Sequence, residues 1–97
     1  MATYIVLSSF TDQGIRSVKE TTKRSDAVRE MARKIGIETK SIYWTIGNYD
    51  VVATFEAADD ETMTALSLAI SSMGNVRTQT LRAFSKDEVG AILAKLG

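Results

Sequence analysis

The chain contains no cysteine and no histidine. The first absence removes a disulfide framework and a thiolate nucleophile, and the second removes the commonest general base and metal ligand. Any chemistry must therefore run through carboxylates, Lys, Arg, Tyr, Ser and Thr. An excess of one charge is missing too: 12 basic and 12 acidic side chains cancel, so the field that steers proteins to nucleic acid or anionic membrane is absent. No segment approaches the ~20 apolar residues of a membrane span. The opening Met-Ala-Thr-Tyr-Ile-Val-Leu has neither the basic n-region nor the apolar length of a signal peptide. A cytoplasmic protein without a nucleic-acid or membrane partner is the expectation.

What is present reads as one domain over residues 1–97, and a domain this small buries only roughly 60–65% of its unfolded surface, so self-association is a common remedy. Thr3 to Phe10 is apolar and β-rich, predicting a strand. Thr11-Asp12 supplies an N-cap, and Ile15 and Val18 begin a helix. Thr21-Thr22 interrupts that pattern before Val28, Met31, Ala32 and Ile35 resume it, predicting a kinked helix or two short ones stopped at Gly36. Residues 38–46 form a second strand with Ile42, Trp44 and Ile46 on one face and Tyr43 and Thr45 on the other. Gly47-Asn48 has the composition of a two-residue hairpin loop needing positive φ. A third strand runs from about Asp50 to Glu56.

Asp59, Asp60 and Glu61 suit the start of a helix, along which Met63, Leu66, Ile70 and Met73 make an apolar stripe until Gly74. Val76 to Phe84 is a fourth strand. Ser85 and Glu88 then form a capping box, Phe84 and Val89 a hydrophobic staple, and Ile92, Leu93 and Leu96 continue the apolar face of a short last helix. The order is strand, helix, strand, strand, helix, strand plus a C-terminal helix: an α+β, ferredoxin-like βαββαβ plan with a four-stranded antiparallel sheet. Helices on one side leave the other sheet face bare, so a second copy of the chain is the expected partner.

Over nearly its whole length the sequence resembles the GYD-domain family of small bacterial proteins. The resemblance rests on Gly47, Tyr49 and Asp50 together with Thr11-Asp-Gln-Gly14, Lys23-Arg24, Tyr43-Trp-Thr-Ile-Gly47, Asp50-Val-Val52, Glu56-Ala-Ala-Asp-Asp-Glu61 and Gly74-Asn-Val-Arg-Thr-Gln-Thr-Leu-Arg-Ala-Phe84. The chain departs from it in having no proline, with Thr22 and Ala58 at positions where relatives often carry one. The resemblance implies a dimeric α/β barrel, in which two sheets face each other, and no particular reaction. The hairpin also resembles, more loosely, a turn in the effector domains of leucine-responsive regulators.

Tyr49 and Asp50 form a candidate ligand site, with the carboxylate accepting hydrogen bonds and the phenol giving or taking one. The competing reading makes Asp50 a partner of loop amides and Tyr49 a packing residue. Arg24 offers a guanidinium fork to an anion, or else sits in an ordinary surface ion pair. Trp44 walls a cavity or packs in a core. Arg77 and Arg82 lie on opposite faces of the last strand, while Thr78, Thr80 and Arg82 share one. Asp59-Asp60-Glu61 reads as a helix-start device and no metal site is expected. Tyr4 and Phe55 fall on the strands of an RNA-recognition platform, yet the basic surroundings that platform needs are missing.

These residues suggest a self-associating module binding a small polar or anionic metabolite, with no cofactor. The alternatives are a cofactor-independent enzyme of monooxygenase or isomerase type, with Asp50 or Tyr49 moving a proton beside an arginine, and a purely structural assembly subunit.

Overall fold

The computed structural model describes residues 1–97. Four strands, β1 (Ala2–Phe10), β2 (Glu38–Trp44), β3 (Val51–Ala57) and β4 (Val76–Ala83), and four helices, α1 (Asp12–Arg16), α2 (Thr21–Lys34), α3 (Asp60–Ser72) and α4 (Lys86–Ala94), follow the expected order. The strands pair antiparallel in the order β2-β3-β1-β4, the ferredoxin-like arrangement. The interrupted helix resolves into α1, a 3-10 turn over Val18–Glu20, and α2. Gly36 and Gly74, both at positive φ, follow α2 and α3.

Alternation along β1 and β3 decides which sheet face is buried. Tyr4 and Val6 on β1 and Ala53, Phe55 and Ala57 on β3 meet Met63, Leu66 and Ile70 of α3 and Ala32 of α2 in one core. Tyr4 and Phe55 are only 3% and 1% exposed, so they lie under the helices rather than on an open platform. Ile15 and Val18, expected on the buried side of a helix, are exposed. The first short helix is held instead by its ends. The Thr11 hydroxyl accepts from Gly14 N–H and donates to the Gly74 carbonyl, and the Thr11 N–H donates to Asn75 O at 3.1 Å.

The opposite face presents Ile5 and Leu7 of β1, Val52 of β3, Tyr43 of β2 and Leu81 of β4, neighbours in the strand registers. Leu81 and Tyr43 are exposed there, and α2 and α3 both pack on the other side. The last helix keeps the expected capping box between Ser85 and Glu88. Its apolar residues Ile92, Leu93 and Leu96 remain exposed. The radius of gyration is accordingly 14.6 Å, against about 12.5 Å for a compact chain of this length.

Gly47-Asn48 stays at the centre of the β2–β3 turn, but the pairing that would make it a two-residue loop is absent. Strand pairing ends at Trp44 and Val51, and residues 45–50 form the connection, closed by Thr45 N–H donating to Asp50 O at 2.9 Å. Gly47 has φ +125 but no non-glycine residue has positive φ, so Asn48 needs no such freedom. Ile46, expected beside Trp44 on a strand face, is fully exposed at 105%.

Candidate functional site

Each of the four singled-out side chains has a defined role, and they divide between two sides of the sheet. The Asp50 carboxylate accepts the Phe10 N–H at 2.8 Å, while the Asp50 N–H donates to Ser8 O at 2.8 Å. The residue thus fastens the β2–β3 connection to the end of β1. Tyr49 donates its phenol proton to Gln79 Oε1 at 2.9 Å. Gln79 pairs with Leu7 in the ladder, which puts this bond on the face without helices.

Arg24 and Trp44 lie on the other side, where α2 and α3 leave a half-open cavity of about 80 Å³ against the sheet. A single water needs only ~10–15 Å³, so the space suits a small organic molecule. Its floor includes Val6, Phe55 and Ala53, and its walls include Val28, Ile42 and Val76. Trp44 stands at the mouth, 44% exposed, with its indole N–H donating to Thr21 Oγ1 at 3.0 Å. That bond ties β2 to the first turn of α2. The Arg24 guanidinium donates to Ser17 O at 2.9 Å, to Ser17 Oγ at 3.1 Å and to Gly14 O at 3.2 Å, and lies 5.9 Å from the Phe10 ring centroid. It satisfies carbonyls around the end of α1 while presenting positive charge to the cavity. Arg24 is the one charged residue in the lining.

The remaining polar groups on this side of the sheet serve the fold. Thr78 and Thr80 lie within hydrogen-bond reach of Ser71 and Ser67, at 3.3 and 2.9 Å, joining β4 to α3. Arg82 stacks 4.4 Å from the Phe84 ring centroid and approaches Glu88 at 3.4 Å. Tyr4 donates its phenol proton to Asp60, and this bond, together with burial, pushes its pKa from 10.0 up to about 12. Asp59 caps α3, and bonds from the Thr62 hydroxyl and N–H hold its pKa below the usual carboxylate value.

Sequence reasoning does not reveal that Arg24 and Trp44 share a cavity, nor the seam between Gln13 and Asn75. There the Gln13 side-chain amide donates to Met73 O and Asn75 Oδ1, at 3.1 and 3.0 Å. The Thr11-Asp-Gln-Gly14 and Gly74-Asn75 segments are visible as motifs, but their meeting is not.

Strand order and the placement of α2 and α3 define a ferredoxin-like α+β domain. More particularly, the chain belongs to the GYD domain family, whose sequence model matches residues 4–93. It is 35% identical over 97 residues to the glutamine synthetase and cystathionine beta-lyase binding protein of Thermus thermophilus, covering 99% of each chain. Its fold is similar to the crystal structure of TTHA0845 from the same organism, with TM-score 0.58 and 28% identity over 88% of this chain and 95% of that one. A single-substitution mutant of Rv3291c shares the fold alone, with TM-score 0.55 and 20% identity, covering 90% of this chain and 54% of that one. No helix is long and apolar enough to cross a membrane.

Proposed function

We propose that this chain is a cytoplasmic, self-associating binding module that holds a small molecule under α2 and α3 and regulates a protein partner. The observation that carries the reading is the cavity itself: apolar walls, a tryptophan at the mouth and one arginine without a carboxylate beside it. Binding sites of small molecules commonly combine apolar walls with a few placed polar groups. The relative named for binding glutamine synthetase and cystathionine beta-lyase supports an enzyme as the protein partner here too. The bare sheet face with Leu7, Val52 and Leu81 supports pairing with a second copy, sheet to sheet, as in a dimeric α/β barrel.

Binding is preferred over catalysis because the cavity lining carries no carboxylate, tyrosine or lysine to serve as a base. The Asp50 carboxylate and the Tyr49 phenol are engaged by Phe10 and Gln79. Native mass spectrometry of the protein as isolated tests the reading. An oligomer with a mass increment lost on denaturation is expected. A bare monomer that no small molecule stabilises in a thermal-shift screen would contradict it.

A further inference from the structure

Packing alone does not account for the charge at the cavity. Arg24 is half-buried, its three hydrogen bonds go to the neutral oxygens of Ser17 and Gly14, and it takes part in none of the ion pairs of the fold. A guanidinium has five N–H donors; three bonds leave two. No Asp or Glu lines the cavity, so the positive charge faces it without a counter-charge, which is costly for a group partly removed from water. The start of α2 supplies the other polar groups at this end of the cavity. Thr21, Arg24 and Ser25, all near the N-terminal end of that helix, line the cavity. The N-cap Glu20 makes no side-chain cap there and its carboxylate lies 3.5 Å from Lys23 Nζ, outside the cavity lining. Beyond this end the lining is mostly hydrocarbon, with Phe55 at its floor and Ser8 and Asn75 as its remaining polar residues.

We propose that the cavity binds a small apolar carboxylic acid as its anion, with the carboxylate on the Arg24 guanidinium and the hydrocarbon tail over Phe55 between Val28 and Ile42. This rests on the reading of the cavity as a ligand site, and it fixes the class of ligand. A free amino acid is selected against: its ammonium group would enter a cavity with no carboxylate to pair with. A neutral amide of the same shape keeps the tail contacts and loses the charge-assisted bonds to Arg24.

Isothermal titration calorimetry at pH 7 with 4-methylpentanoate, 4-methylpentanamide and leucine tests the proposal. The acid is expected to bind, and the amide and leucine about tenfold or more weakly than the acid, given the strength of hydrogen bonds to charged groups. Arg24→Gln should bring the acid down to the level of the amide. Because that change also removes the bonds to Ser17 and Gly14, Val28→Phe provides a second variant. It fills the cavity from α2, leaves Arg24 in place, and should abolish binding of the acid while the protein stays folded. Amide or leucine binding as tight as that of the acid would overturn the ligand class and leave the cavity as a site. Failure of all three probes to bind at millimolar concentration, or acid binding undiminished in folded Val28→Phe, would overturn the site as well.

Discussion

Asp50 and Phe10, forty residues apart, are joined by a carboxylate that accepts a backbone N–H at 2.8 Å. The bond stands where the β1–β3 ladder ends, and the adjacent Asp50 N–H to Ser8 O bond completes the attachment. Asp50→Ala leaves the Phe10 N–H without its partner and should cost about 1–3 kcal/mol. Asp50→Asn keeps an acceptor oxygen and should cost less. Chemical denaturation of both variants measures the difference; equal stabilities of wild type and Asp50→Ala would deny the bond its role.

Gly14 is buried where α1 meets the turn after α3. A Cβ built there would lie 1.9 Å from the Asn75 carbonyl oxygen, and because that oxygen is backbone it cannot swing aside. Gly14→Ala should therefore destabilise by about 1–3 kcal/mol through displacement of this seam. A thermal melt checks this, with Gly90→Ala as control, since a Cβ at Gly90 meets nothing within 4 Å.

Much of this arrangement can be read locally. The alternation of Tyr4, Val6 and Ser8 with Ile5 and Leu7, the glycines that follow α2 and α3, and the Ser85–Glu88 box are each set by a few neighbouring residues. The hairpin departs from its local pattern although Thr45 and Ile46 have strand propensity: the Thr45 N–H to Asp50 O bond carries the β2–β3 register one step past Trp44 and Val51, after which the chain leaves the ladder and Ile46 stands in solvent. The contacts of Asp50 with Phe10 and of Gly14 with Asn75 depend on how distant segments meet, which no local pattern encodes. The cavity has the same origin. Arg24 and Trp44 stand out by residue type, but their shared space arises from how far α2 and α3 stand apart over the sheet.

Tyr4 gives the fold an alkaline limit. Its phenol must stay protonated to donate to Asp60, and its pKa rises from 10.0 to about 12 in the folded state. The stability it contributes is thus fully present below pH 10 and is lost as pH rises through about 12. Tyr4→Phe should be less stable by about 1.5–3 kcal/mol at neutral pH, with the gap to wild type closing between pH 10 and 12. Denaturation midpoints of both proteins across that range report it; a constant gap would contradict the bond.

Self-association through the bare sheet face is tested by Val52→Glu. Val52 lies between Leu7 and Tyr43 in the strand registers, on the side without helices, so the change should leave each protomer folded. Sedimentation velocity at micromolar concentration is expected to show an oligomer for wild type and a monomer for the variant. An unchanged mass would place the contact elsewhere.

Trp44 is the sole tryptophan and stands at the cavity mouth, so its fluorescence reports directly on whether a ligand enters beneath α2 and α3. Titration with 4-methylpentanoate should change the emission in a saturable way in wild type, with no such change in Val28→Phe. Emission that stays constant while calorimetry shows saturable binding would mean that the ligand sits elsewhere, and the helix-side cavity would not be the binding site.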